Sequence, residues 1–169
     1  MINILLYSGG NDSKMILHKY NDVDFIKIYF NYGQKYYNQE KKYLSFDTTI
    51  IKTPILKMNK VGFFFGRNLM FLIEIAKRYK TGIIWMGTNK NDVFDDNNKT
   101  FLNNVIDVIN ISYNTKFKIK LPLKNTSKYK IMQYINKYKI DTYSCYVGKT
   151  KPCGKCKACK SIEEAIKCR

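Results

Sequence analysis

The sequence predicts an α/β fold: a parallel five-stranded sheet sandwiched by helices, followed by a cysteine-bearing C-terminal segment. Three observations carry this expectation. Short apolar runs alternate with segments of helical period, the pattern of strands joined by crossover helices. The first run, Ile4-Leu5-Leu6-Tyr7, breaks directly into Ser8-Gly9-Gly10-Asn11-Asp12-Ser13 and then into a helix. The chain closes with Cys145, Cys153, Cys156 and Cys159 in the spacing C-x7-C-x2-C-x2-C, with Gly154 inside it.

Taken in order, strands are expected at 2–7, 24–30, 48–52, 82–86 and 116–121. After the paired glycines, Asp12 or Ser13 can cap a helix that carries Ile16, Leu17 and Tyr20 on one face. Further amphipathic helices are expected from Leu69, Leu72, Ile73 and Ala76, from Leu102, Val105, Ile106 and Ile109, and from Ile131, Tyr134, Ile135 and Tyr138. Their i, i+3, i+4, i+7 spacing assigns these residues to the core. Residues 89–99, dense in Asn and Asp, read as one long loop after a strand. Ligands of such sheets bind at the carboxyl ends of the strands, where the chain order reverses. The loops that start at Ser8, Asn31 and Gly87 all follow strands and are expected to line one site.

A chain of 169 residues with 45% apolar content suits one domain with its own core. No run approaches the roughly 18 apolar residues of a membrane span. No basic segment precedes the first apolar stretch, so no signal peptide is expected. With reduced, metal-spaced cysteines, a cytoplasmic location is the expectation, with no membrane partner. The net charge of +17 resembles a nucleic-acid footprint. Only Arg67, Arg78 and Arg169 are arginines, however, and the lysines are scattered except between Lys149 and Lys160. Abundant Asn, Ile and Tyr accompany them, a mixture that AT-rich coding produces without any binding pressure. Compositional drift is therefore the preferred reading, and a nucleic-acid partner stays open without being expected.

Two stretches carry chemistry. A strand that breaks into two glycines and a helix start forms a pocket for an anion, because free N–H groups of the first helical turn face it and the helix dipole adds positive potential. The Ser8–Ser13 stretch is thus read as a phosphate cradle, with a plain strand-to-helix turn as the alternative. Four cysteines at this spacing match the closed tetrahedral coordination of a structural zinc ion, which leaves no position for water. The competing disulfide framework suits shorter secreted chains, and the count of five cysteines is odd. Cys168 falls outside the spacing and reads as a free thiol near the terminus. His18, the one histidine, reads as a half-buried filler on the first helix.

Ser8-Gly9-Gly10-Asn11-Asp12-Ser13 resembles the SGGxDS loop of the PP-loop ATP pyrophosphatases. Phe30-Asn31-Tyr32-Gly33-Gln34-Lys35 looks like the YGQ segment of the 7-cyano-7-deazaguanine synthases of the queuosine pathway. Gly66-Arg67-Asn68-Leu69 is similar to their P-x-R-N segment, and Gly87-Thr88-Asn89 with Asp92 and Asp96 to their glycine–aspartate loop. Leu121-Pro122-Leu123 with Ser127-Lys128 resembles their next strand and helix start. Thr142-Tyr143-Ser144-Cys145-Tyr146 and Pro152-Cys153-Gly154-Lys155-Cys156-Lys157-Ala158-Cys159 resemble their zinc tail. The chain departs from that family at Phe94-Asp95-Asp96-Asn97-Asn98, where the family reads roughly Tyr-Pro-Asp-Cys-Arg. It is also shorter between Gln39 and Phe65, lacks the proline before Arg67, and has Tyr36 where a histidine is common.

The resemblance implies a PP-loop ATP-binding unit over 1–140 and a zinc-binding segment over 141–169, together one compact body. It implies ATP contacts from Tyr7, Ser8, Gly9, Gly10, Asn11, Asp12, Ser13, Lys14, Met15, Ile16 and Leu17, with Mg2+ sharing the phosphate charge. Ser8, Asp12, Ser13, Arg67 and Lys128 are the implied catalytic set, and Tyr32, Gln34, Arg67, Asn68, Asp92 and Asp96 the implied substrate set. Zn2+ would be held by Cys145, Cys153, Cys156 and Cys159. The implied reaction converts 7-carboxy-7-deazaguanine and ammonia to 7-cyano-7-deazaguanine through an acyl-adenylate and an amide, in a homodimer. Three alternatives stay open: a variant that stops at 7-amido-7-deazaguanine, a PP-loop enzyme that modifies tRNA directly, and a non-catalytic zinc and nucleotide module. Single residues keep two readings as well. Asp12 caps a helix or serves magnesium and the loop; Arg67 pairs with a phosphate or sits exposed at a helix start. Lys128 neutralises a phosphate or is a solvated surface lysine. Asp96 accepts from the donor edge of a deazapurine or belongs to turn chemistry.

Overall fold

The apolar runs pair as five parallel strands in the computed structural model, which describes residues 1–57, 59 and 64–167. They are β1 (Asn3–Leu6), β2 (Phe25–Asn31), β3 (Thr49–Lys52), β4 (Thr81–Trp85) and β5 (Lys116–Lys120), and every end falls within one residue of the sequence expectation. Strand order is β3-β2-β1-β4-β5. β1 takes the centre because it is apolar on both faces: successive residues point to opposite sides, and Ile4 and Leu5 are both fully buried. Its register is Asn3 opposite Phe25 on one side and opposite Ile83 on the other. The order therefore reverses between β1 and β4, which places a crevice beyond the carboxyl end of β1.

The helices are α1 (Asn11–Lys19), α2 (Tyr37–Glu40), α3 (Arg67–Ala76), α4 (Lys99–Tyr113), α5 (Lys128–Lys137) and α6 (Lys157–Lys167). Ile4, Ile28, Ile84 and Phe117 pack with Phe71, Leu72 and Ile75 of α3 and Leu102, Ile106 and Ile109 of α4. On the opposite face Leu5, Phe25 and Trp85 pack with Ile16 of α1 and Ile131 and Ile135 of α5. Among the described residues, no helix is long and apolar enough to cross a membrane.

Several local expectations are corrected. Leu69 is 40% exposed, and the buried face of α3 is Asn68, Phe71, Leu72, Ile75 and Ala76. That rotation turns Asn68 toward the 95–97 turn, which its amide binds. Tyr138 is 46% exposed because it caps the C-terminal end of α5, where its ring lies beside His18 and Tyr134. Neither Asp12 nor Ser13 caps α1. Gly10 holds the N-cap position, and both side chains lie inside the first turn. Side-chain caps occur instead at Asn98, which accepts from Phe101 N, and at Ser127, which accepts from Lys130 N. The 89–99 stretch is broken by a 3-10 turn at Asp95–Asn97, and α4 starts at Lys99. His18 is exposed rather than half-buried, its Nδ1 2.9 Å from the Tyr134 hydroxyl. Cys168 lies outside the described residues.

Candidate active site

A cavity of about 330 Å3 opens beyond the carboxyl ends of β1, β2 and β4. Its walls come from all three loops that the sequence pointed to, from the start of α5, and from α6.

One end is built by the first loop. Gly9 sits at φ +71°, and a Cβ there would come within 3.0 Å of the Tyr43 carbonyl, so glycine meets both the backbone angle and the close approach. The Ser13 hydroxyl donates to the Gly10 carbonyl at 3.2 Å and accepts from Ser8 N at 3.3 Å, and Gly10 N donates to the Ser8 hydroxyl at 3.3 Å. These bonds shape the turn before any ligand arrives. The Asp12 carboxylate reaches Lys128 Nζ at 2.7 Å and Asn89 Nδ2 at 3.2 Å, so α1, α5 and the loop after β4 meet there. Gly87 permits that meeting, because a Cβ on it would lie 3.0 Å from the Asp12 Cβ. Asp92 accepts from Asn89 N at 2.9 Å. Burial raises its carboxyl above the usual range, the neighbouring Asp12 adds to this, and Lys128 and Arg67 oppose it. Two neighbouring carboxylates, Asp12 and Asp92, are a donor set that a divalent cation relieves.

Of the loop residues, Tyr7, Ser8, Gly10, Asp12 and Ser13 line the cavity. Met15 and Ile16 are core, Leu17 packs beside them, and Lys14 turns away to donate to the Asp141 carbonyl at 2.6 Å. Asn11 is buried and accepts from the Thr142 hydroxyl at 2.6 Å. Hence residues 14–17 bring no side chain to the cavity wall.

The other end is aromatic and holds one carboxylate, Glu40, 8% exposed. Tyr29 donates to its Oε2 at 2.6 Å, and Gln34 Nε2 donates in turn to the Tyr29 oxygen at 2.6 Å. Gln34 also donates to the Phe30 carbonyl and accepts from Tyr32 N, so this expected substrate residue is occupied in holding the loop. The Tyr32 and Tyr36 hydroxyls lie 3.0 Å apart. Arg67, read as either a ligand or an exposed helix-start residue, lines the cavity, and its Nε is buried without a hydrogen-bond partner. Asn68 lines it too, yet its amide donates to the Asp96 carbonyl, to Asp96 Oδ2 at 3.1 Å and to Asn97 Oδ1 at 2.6 Å. Asp96 thus stands behind Asn68 and off the cavity wall.

Burial pushes the Glu40 carboxyl up to about 7, against the pull of the Tyr29 and Gln34 bonds and the Arg67 charge. The folded chain then keeps a proton that the unfolded chain, at an ordinary value of 4.5, releases first. This contribution to stability is complete below the unfolded value and is lost as pH rises toward the folded one. Relative to wild type, Glu40→Gln is expected to gain on the order of 3 kcal/mol between about pH 5 and about pH 8. A melting-temperature difference that does not change with pH contradicts this.

The C-terminal segment forms the roof. Its four cysteines are free thiols whose sulfurs lie within 4.8 Å of one another, Cys153 and Cys159 at 3.9 Å. Zinc with bonds of about 2.3 Å sets tetrahedral sulfurs about 3.8 Å apart, so the donor set fits that ion. Gly154 supplies the bend at φ +68°. Lys155 N and Cys156 N point at Cys153 Sγ and hold its thiol down to about 6. The segment is tied to the rest of the site: Tyr143 N donates to the Gly9 carbonyl at 3.2 Å, and the Tyr36 and Tyr146 rings stack 5.2 Å apart. From α6, Lys157, Ala158, Ser161 and Ile162 face the cavity, and Lys157 Nζ sits 3.9 Å over the Phe94 ring.

The family described as queuosine biosynthesis protein QueC matches residues 56–168. The chain belongs to that family. QueC-family relatives align along almost all of it. The 7-cyano-7-deazaguanine synthase of Methanobrevibacter smithii is 28% identical, covering 97% of this chain and 92% of that protein. The synthase of Methanosphaera stadtmanae is also 28% identical over 96% of this chain. That of Thermoplasma volcanium is 26% identical over 93% of this chain and 83% of its own length. The first alignment spans 212 positions, more than the 169 residues here, so the relative carries insertions. A crystal structure of a predicted subunit of a tRNA methyltransferase from Methanocaldococcus jannaschii superposes with a TM-score of 0.51. It is 16% identical over 80% of this chain and 75% of that one, and it bears on the fold alone.

Sequence reasoning passed over Glu40 and Tyr29, and it gave Asn89, Tyr146 and Lys157 no role of their own beyond the segments that contain them. One usable signal for Glu40 was its charge, since the chain has only 13 acidic residues against 30 basic ones. For Tyr146 it was the position directly after a metal-spaced cysteine.

Proposed function

We propose that this QueC-family chain uses ATP to convert 7-carboxy-7-deazaguanine and ammonia to 7-cyano-7-deazaguanine. The observation that carries the reading is one cavity with an anion cradle and the Asp12–Lys128 pair at one end, and Arg67 and Glu40 in an aromatic chamber at the other. The names of the relatives supply the substrate class.

A carboxylate is a poor electrophile because its leaving group would be an oxide. Its oxygen attacks the α-phosphorus of ATP, pyrophosphate leaves, and the acyl carbon gains a good leaving group. Ammonia attacks that carbon, expelling AMP and losing one proton to give the amide. In a second round the amide oxygen attacks another ATP, and loss of AMP and two protons leaves the nitrile. The Ser8 and Ser13 hydroxyls and the N–H groups at Gly10 would hold pyrophosphate oxygens, and Lys128 would neutralise them. Asp12 keeps the Lys128 ammonium in place, and Arg67 faces the carboxylate with an unpaired N–H. Bound Mg2+, held from Asp12 and Asp92, would supply charge neutralisation on the phosphates. These residues act mainly by positioning and by stabilising developing negative charge.

The test is incubation of the zinc-loaded protein with 7-carboxy-7-deazaguanine, ammonia and ATP, followed by mass analysis. AMP and the nitrile are expected. A product one water heavier identifies the amide and restricts the reaction to its first half, and absence of AMP rejects the proposal.

A further inference from the structure

The site holds a carboxylate whose role the reaction above leaves open. Three carboxylates line the cavity: Asp12, Glu40 and Asp92. Asp12 is committed to Lys128 and Asn89, and Asp92 to the Asn89 N–H beside it. Glu40 stands apart at the aromatic end. Its Oε2 takes the Tyr29 hydroxyl, and the Gln34 amide lies beside the same carboxylate. Because Gln34 donates to the Tyr29 oxygen, the Tyr29 proton has to point at Glu40, which fixes the carboxylate plane.

We propose that Glu40 is the specificity residue that reads the pyrimidine edge of the deazaguanine ring, with Tyr29 as its positioning residue. The inference rests on the functional reading above and deepens it. Above about 7, where the folded chain releases the Glu40 proton, the carboxylate accepts through two oxygens and donates nothing; the deazaguanine edge offers a ring N–H and an amino N–H side by side, so two parallel bonds form. An adenine edge places an acceptor beside its donor, which a carboxylate repels. The ring also fits the order of charges along the cavity. The Arg67 charge acts on both Glu40 and Asp92, and Asp92 also feels Asp12 and Lys128. A ring with its donor edge on Glu40 presents the carboxylate at its opposite end toward Arg67 and the phosphate cradle, where it has to react. Asp96, to which the sequence pointed for this contact, is bound to Asn68 instead.

The experiment is calorimetric titration at about pH 8, where Glu40 is ionised, of the zinc-loaded full chain with 7-carboxy-7-deazaguanine and with the analogue lacking the exocyclic amino group, with ATP titrated separately. Wild type is expected to prefer the amino compound by about 10- to 100-fold. Glu40→Gln, which sets an amide donor against one N–H, is expected to erase that preference while ATP affinity stays unchanged. Tyr29→Phe keeps the carboxylate and is expected to retain the preference at a reduced ratio, which preserves the test should Glu40→Gln fail to fold. A wild-type preference in folded Glu40→Gln, no change in Tyr29→Phe, or loss of ATP affinity in either variant overturns the assignment alone. Wild type that binds neither carboxylate overturns the functional reading and the assignment together.

Discussion

Lys128→Ala is expected to lower kcat/KM by about 100- to 1,000-fold, the usual effect of losing one preorganised charge at a site of developing negative charge. Lys128 Nζ lies 2.7 Å from Asp12 Oδ2, with side-chain exposures of 13% and 26% for the two partners. Removing the ammonium leaves the Asp12 carboxylate facing the phosphate cradle with Asn89 as its remaining partner, so the anionic ligand meets a like charge. Lys128→Arg keeps the positive charge and is expected to recover part of the rate; Lys128→Met keeps the stem and is not. The loss should fall on ATP-dependent steps, with 7-carboxy-7-deazaguanine binding retained. A variant with Lys128→Ala and near wild-type kcat/KM removes this pair from the chemistry.

Stripping the metal is expected to lower the melting temperature by about 10 °C or more, since a structural zinc site contributes several kcal/mol and about 1 kcal/mol moves a domain of this size by about 2–4 °C. The reason lies in what the cysteines support. Tyr36, Tyr143, Cys145 and Cys159 form one buried cluster, and the same segment contributes Lys157, Ala158, Ser161 and Ile162 to the cavity roof. Cys153→Ser should reproduce the effect of a chelator and weaken carboxylate binding with it. A melting temperature indifferent to strong chelation contradicts a metal-held roof.

These residues show how much was legible in the sequence. The strands were, because burial on both faces of a parallel sheet leaves continuous apolar runs such as Ile4-Leu5-Leu6, and turn residues punctuate them. The cysteine tail was legible because metal geometry restricts spacing. The Ser8–Ser13 loop was legible as a shape, but its caps were not: Ser13 folds back on Gly10, and Asp12 is drawn into the cavity by Lys128, 116 positions away. The α3 face was misjudged because Asn68 is buried by a polar partner, and apolar periodicity is blind to a buried amide. Glu40 was invisible for a related reason. Its burial depends on Tyr29 in a neighbouring strand and on Gln34 in the loop between, so no local pattern marks it.

The account turns on a single cavity in which a bound carboxylate meets the α-phosphorus of ATP. Exchange of labelled pyrophosphate into ATP, measured without ammonia, isolates that step. The structure predicts exchange that depends on added 7-carboxy-7-deazaguanine and disappears in Lys128→Ala. Exchange that proceeds equally without the carboxylate, or that is absent with it, contradicts the account.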